Sequence, residues 1–315
     1  MVATPGLARP ARRTAAQDAR AYLSRSWPLY MMMLPALTAL ALFHYYPMYG
    51  VVIAFQSFNP GLGFAGSPWV GLKNFEFLMV LPDFQQIFLN TLTIALGKLV
   101  SVQVCAVALA LSLNEVRSAL FKRSIQTLVY LPHFLSWIVL GGILLDILTT
   151  QGIVNRSLGA LGIKPIQFLG SNAWFQPTLI TTNLWREVGW AAIIYLAALT
   201  GIDPGLHEAA AIDGANRLQR IWLINLPGIG STVILIACLN LGNILNAGFE
   251  QVLMLYNPLV YATGDILDTY VYRAGLVSAQ YSLAGAVGLI KSGLSFVLIV
   301  IAYWSANRFS GYRIF

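Results

Sequence analysis

Six apolar runs, each near the roughly 20 residues that a helix needs to cross a bilayer core, constrain this 315-residue chain more than any other feature. They extend from Pro28 to Gly50, Ile87 to Leu113, Ile125 to Leu148, Pro177 to Leu199, Leu226 to Leu245 and Leu283 to Tyr303. Lipid offers no partner to backbone N–H and C=O groups, so segments of this kind fold as helices. Composition agrees: 10% of the residues are charged and mean hydropathy is +0.69, against about 25% charged residues in soluble domains. The expectation is an all-α, polytopic membrane protein with six transmembrane helices. A basic tail over residues 1–27 precedes a transmembrane domain over residues 28–315.

The tail carries Arg9, Arg12, Arg13, Arg20 and Arg25 against Asp18 alone. It is like the basic start of a signal peptide, but no small-residue cleavage site follows the apolar run at a suitable distance. We therefore read a retained first span behind a disordered tail. With the amino terminus inside, those five arginines join Arg117, Lys122, Arg123, Arg217, Arg220, Arg308 and Arg313 on the cytoplasmic side, and Lys73, Arg156, Lys164 and Arg273 fall outside. Twelve against four places both termini in the cytoplasm. The net charge of +7 then faces anionic membrane lipid and calls for no nucleic acid. Cys105 and Cys238 lie inside apolar runs as packing residues, without a disulfide framework or metal-ligand spacing.

The cytoplasmic segment between the fourth and fifth runs has a patterned sequence: Glu208-Ala209-Ala210, three residues ending in Asp213, Gly214, nine residues, then Ile224-Asn225-Leu226-Pro227. The Ala-rich run has high helix propensity and Gly214 can turn it sharply. A nearly bare Ala surface flanked by acidic residues suits docking into a partner's cleft; the plainer reading is a short amphipathic connector. At every specified position the pattern resembles the EAA loop of permease subunits in bacterial ATP-driven (ABC) importers. Shorter stretches resemble the polysaccharide and oligosaccharide permeases of that superfamily, including alginate importer permeases. They are Pro68 to Leu72 with Asn74-Phe75, Tyr130 to Phe134, Tyr195 to Leu199, Gly242 to Glu250 and Asp268 to Arg273, which spread the likeness from about Trp27 to the carboxyl end.

The resemblance implies a permease fold with a cytoplasmic coupling loop, in a multi-pass protein of the bacterial cytoplasmic (inner) membrane. It implies that Glu208, Ala209, Ala210, Asp213, Gly214, Leu226 and Pro227 couple the chain to an ATPase. It also implies a second permease subunit, two ATPase subunits and an extracytoplasmic solute-binding protein as partners. No cofactor belongs to this chain on that reading; ATP and Mg are used by the partner ATPase. The outer loop residues Asn74 to Leu78 can form a short interfacial helix. Tyr256, Asn257, Asp265, Asp268, Tyr270 and Tyr272 form either a receptor-docking surface or an interfacial aromatic belt.

Lys98, Arg186, Glu187 and Lys291 fall inside expected spans, where an ionisable group costs about 2.5 to 3.5 kcal/mol at the helix centre. Lys98 and Lys291 either serve the path or are held by structural pairing and snorkelling. Arg186 and Glu187 are adjacent and so point about 100° apart, which argues against one mutual pair explaining both. Asn183, Glu187 and Trp190 recur at i, i+4 and i+7 on one face of the fourth span. Asn240, Asn243 and Asn246 form a similar stripe on the fifth. Amides and an indole plane suit sugar hydroxyls and pyranose faces, although membrane Asn also holds helices together. We take Asn183, Arg186, Glu187, Trp190, Asn240, Asn243, Asn246 and Lys291 as the substrate path. The excess of central cations, Lys98, Arg186 and Lys291 against Glu187, favours an acidic oligosaccharide such as alginate.

No catalytic constellation is present. There is no GxxxxGK[ST] loop and no HExxH, and His44, His133 and His207 are scattered. A polytopic membrane enzyme is disfavoured on that ground. An ion-coupled secondary transporter of sugars is the alternative, although Glu187 is the one clearly central carboxylate and no internal repeat supports it.

Overall fold

The computed structural model describes residues 15–242 and 244–310. Among them the only extended pairing is an isolated antiparallel bridge between Gln56 and Trp69. The chain divides into two units, one ending at Val52 and the other starting at Ile53. In the first, helix α1 (Ala15–Leu40) passes through a π-turn at Ala41–Tyr45. The helix thus begins inside the segment expected to be an irregular tail, because Ala, Gln and Arg between Ala15 and Arg20 are good helix formers. Arg9, Arg12 and Arg13 lie outside the described residues. Large apolar side chains from Leu29 to Leu37 are exposed, as in a helix built to face lipid.

The second unit holds α2 (Pro82–Asn114), α3 (Ala119–Tyr130), α4 (Trp137–Ile147) and α5 (Asn172–Thr200). It continues through α6 (Pro204–Ile212), α7 (Arg217–Gly228), α8 (Gly230–Leu241), α9 (Phe249–Leu255), α10 (Leu267–Val271) and α11 (Tyr281–Ser310). Among the described residues, three segments are individually long and apolar enough to cross a membrane: Ser26–Phe55, Pro82–Asn114 and Tyr281–Trp304. Three bent pairs bring the number to six, matching the expected count.

Two of the expected spans are not single helices. The run from Ile125 to Leu148 bends by 103° between the Ala119–Phe134 segment and α4. Pro132 cannot continue an α-helix, because it lacks an N–H and crowds the carbonyl four residues back. Leu135 is extended, and Ser136 accepts a hydrogen bond from the Val139 N–H to start α4. The fifth run is cut at both ends. A 54° bend separates α7 from α8, and α8 stops at Leu241 rather than Leu245.

Close packing of α2, α3 and α5 rests on small residues. Ala106 and Ala110 of α2 are fully buried with Ala192, Tyr195 and Leu199 of α5. Gly189 of α5 lies so near the Val129 carbonyl of α3 that a Cβ would overlap it.

The loops pack as structured elements. Asn74, in the helix Lys73–Val80, donates to the Ala54 and Gln56 carbonyls at 2.8 and 3.0 Å. The segment from Phe249 to Gln280 is not the open polar surface that its composition suggests. Asp265 is 3% exposed and paired with Arg273 at 2.5 Å, and Thr269 donates to its other oxygen at 2.7 Å. Asn90 of α2 donates to the Ala262 and Asp265 carbonyls, which ties this segment to the bundle. Burial works against the Arg273 charge, but the adjacent Asp265 carboxylate outweighs it and raises the Arg273 pKa. Burial, with Tyr261 and Asp265 nearby, pushes the Tyr256 hydroxyl up to about 12, so it stays a neutral phenol.

Candidate functional site

α2, α5 and α8 enclose a cavity of about 430 Å³, and the chain from Ile244 to Gly248 closes one side of it. Small-molecule sites commonly fall in this size range. From α5 come Asn183, Glu187 and Trp190, so the i, i+4, i+7 spacing does place amide, carboxylate and indole together. Asn240 comes from α8 and Asn246 from the turn beyond it. The expected helical Asn stripe is therefore broken: α8 ends before Asn246, and the two amides reach the cavity from different elements. Asn243 lies outside the described residues. Lys98, Gln103 and Tyr195 complete the polar lining, among Leu99, Val102, Ile194 and Ile236.

Arg186 does not line the cavity. It sits at the break between α3 and α4, where its Nε and one terminal nitrogen donate to the Leu135 and His133 carbonyls at 3.2 Å each. Its other terminal nitrogen meets Glu187 Oε1 at 2.6 Å, and the guanidinium lies 5.0 Å from the Trp137 ring centre. The 100° separation thus fails to keep Arg186 and Glu187 apart, because the guanidinium fork folds back across the helix surface. The pair is still not the whole account of either residue. A broken span leaves carbonyls without intrahelical partners, and in an apolar setting they need donors. Arg186 supplies them.

Sequence reasoning missed His133. Its Nδ1 is 3.0 Å from Glu187 Oε2, and its ring is parallel to the Trp190 indole at 4.6 Å between centres. Phe134 meets the same indole edge-on at 5.9 Å. One face of Trp190 is thereby covered and its orientation fixed. Only the position of His133 in the Tyr130 to Phe134 stretch hinted at a role, because its partners lie more than 50 residues away.

Lys291 lies in a second cavity of about 540 Å³ with Phe249, Val271, Tyr272 and Leu276, and Asn246 and Gly248 border both cavities. Its ammonium is paired with Asp268 at 2.5 Å. The central cationic excess read from the sequence is thus smaller than expected: Glu187 matches Arg186, and Asp268 matches Lys291.

The patterned segment is a helix, a turn and a second helix. Asp203 accepts from the Gly205 N–H at 2.9 Å to cap α6, and Pro204 occupies the first turn. Glu208 and Ala209 are exposed and Ala210 is half-buried. Asp213 ends the helix, and Gly214 takes a φ of +75°, which an L side chain resists. Asn216 and Gln219 then form a reciprocal capping box that opens α7. A cavity of about 350 Å³ lies beside it, lined by Ala210, Asp213, Gly214, Arg220 and Leu223 among others. Leu226 and Pro227 follow in α7, where Asn225 is fully buried.

Residues 104–311 match the family described as binding-protein-dependent transport system inner membrane component. The chain is 44% identical to the polygalacturonan/rhamnogalacturonan transport system permease protein YteP of Bacillus subtilis (strain 168), over 89% of this chain and 88% of that one. It is 42% identical to protein LplB of the same organism, over 92% and 91% respectively. Among solved structures it is similar to a chain of a bacterial ABC transporter involved in the import of the acidic polysaccharide alginate. The TM-score is 0.87 and the identity 36%, over 93% of this chain and 99% of that one. A chain of the bacterial alginate ABC transporter in complex with alginate pentasaccharide-bound periplasmic protein gives a TM-score of 0.86 at 35% identity, with the same coverage.

Proposed function

Since the chain belongs to the family of binding-protein-dependent transport system inner membrane components, we propose that it is the permease of an importer that takes up acidic oligosaccharides across the bacterial cytoplasmic membrane. Both termini lie in the cytoplasm. The functional unit pairs it with a second permease, two ATPase subunits that use ATP and Mg, and an extracytoplasmic solute-binding protein that delivers the sugar. The cavity carries this reading. It combines four amides, Gln103, Asn183, Asn240 and Asn246, with an indole, a carboxylate and an ammonium on walls that lead directly into the α6–α7 segment. Amide donors and acceptors serve hydroxyls and a fixed indole face serves a pyranose ring. The polygalacturonan/rhamnogalacturonan named for one relative and the acidic polysaccharide alginate named for the structural neighbour support a uronate over a neutral sugar.

Ion coupling is disfavoured by the surroundings of Glu187. Both of its oxygens are engaged, by Arg186 and by His133, which leaves this carboxylate poorly placed as a free ion site. The test is to purify the chain with its neighbouring gene products, reconstitute the complex in nanodiscs and measure ATP hydrolysis. Uronate oligomers with the binding protein should stimulate it more than neutral oligosaccharides of equal length. Stimulation by neutral sugars alone, or uptake driven by an ion gradient without ATPase subunits, would overturn the reading.

A further inference from the structure

We propose that Lys98 is the specificity-determining residue for charge, the group that receives a uronate carboxylate in the cavity. The inference rests on the acidic-oligosaccharide reading above and adds the residue that carries it. Of the three central cations, Arg186 is paired with Glu187 and Lys291 with Asp268. Lys98 has no carboxylate within ion-pair distance among the described residues. Its Nζ donates to the Ala247 carbonyl at 2.6 Å, one bond from a group with three donors. The residue is 8% exposed, and it lines the cavity opposite Asn183 and Trp190 of α5. Glu187, the anion that shares this cavity, acts on Lys98 through its charge, but its oxygens contact His133 and Arg186 and neither lies within ion-pair distance of the ammonium.

A buried ammonium without a counter-charge in contact is costly, and a ligand anion entering the same space relieves that cost. The backbone makes room for it. Gly248 has a φ of +89°, and a Cβ there would lie 2.8 Å from the Lys98 Nζ. The turn from Asn246 to Gly248 thus holds the ammonium by a carbonyl while leaving its other donors to the cavity. A carboxylate bound at Lys98 would place its ring within the amide and indole lining that suits hydroxyls and a pyranose face.

The test measures direct binding to the purified complex without the solute-binding protein, using galacturonate and mannuronate trimers and their methyl esters. The esters keep ring and linkage but lose the charge. Wild type should prefer the acids. Lys98→Gln should lower affinity for the acids by roughly tenfold or more, the loss of one charge-assisted hydrogen bond, while affinity for the esters changes little. Lys98→Arg should keep the preference, and Arg186→Gln should leave the acid-to-ester ratio unaltered. A wild-type protein that binds esters as well as acids would sink the acidic reading itself. Unchanged discrimination in Lys98→Gln, or equal loss for acids and esters, would overturn the role of Lys98 while leaving that reading in place.

Discussion

Replacing Arg186 by Met should destabilise the bundle rather than alter substrate preference. The side chain is 18% exposed and its contacts go to Glu187, the His133 and Leu135 carbonyls and the Trp137 ring. Removing one member of a largely buried pair costs about 3 to 5 kcal/mol, because the remaining charge loses its partner. Glu187 keeps His133 and some solvent access, so the low end applies, about 3 kcal/mol. Two carbonyls at a helix break also lose charged donors, each worth about 1.5 to 3 kcal/mol at most, and these contributions overlap with the first. A net loss of about 4 kcal/mol would lower the apparent unfolding midpoint by roughly 8 to 16 °C at 2 to 4 °C per kcal/mol. The assay is thermal unfolding of the purified complex by intrinsic fluorescence, with Glu187→Gln and the double variant alongside. The double variant should lose less than the two single losses combined, since no unmatched charge remains. A midpoint for Arg186→Met within about 2 °C of wild type, or strict additivity in the double variant, would refute a structural bracket and return Arg186 to the substrate path.

Gly189→Leu should prevent accumulation of folded protein, because its side chain would be driven into the Val129 backbone, an overlap worth about 3 kcal/mol or more; normal abundance and melting would contradict the packing. Glu208→Lys and Gly214→Pro should each abolish uptake and substrate-stimulated ATP hydrolysis while the chain still inserts, since Pro cannot adopt the φ of +75° at position 214; full retention of both activities would remove the docking role of the segment. Trp190→Ala should raise the KM for oligosaccharide uptake on the order of tenfold by removing the fixed stacking face, and an unaltered KM would exclude stacking. Copurification should recover a second, related permease with this chain, and transport by a homodimer with no other membrane subunit would contradict the assembly.

What the sequence made legible was local. The carboxyl end of α6 follows from Gly214, where φ turns positive, whereas its start at Asp203 and Pro204 went unread. The face shared by Asn183, Glu187 and Trp190 follows from the helical period alone. The break at Pro132 was hidden because the run from Ile125 to Leu148 is apolar as a whole, and hydropathy carries no record of direction. Asp265 looked like loop surface because its neutralising partner, Arg273, is itself in the loop and the burial comes from α2. Lys291 looked like an unmatched cation because Asp268 lies 23 residues earlier, beyond any helical spacing rule. Arg186 and Glu187 defeated the angular argument through side-chain length, which backbone geometry omits. For Asp265 and Lys291 the missing information is a contact beyond helical spacing.

The cavity and the patterned segment are joined by the two helices that flank the segment. α5 carries Asn183, Glu187 and Trp190 and runs without interruption to Thr200, three residues before the cap of α6. On the other side, α7 leads into α8, whose Ile236 and Asn240 form the facing wall. The two sides are also locked together at their base. Ile229 is fully buried against Ala106, Ala110, Ala192, Tyr195 and Leu199, and Gly228 lies where a Cβ would come within 2.8 Å of Ile202. Packed interiors transmit displacement because they compress little. A force applied to α6 therefore enters the cavity through both of its flanking helices, while the third wall, α2, holds Lys98 against the Ala247 carbonyl. The residues that would meet a substrate are in this way carried by the same rigid elements that begin and end the segment where a motor would act.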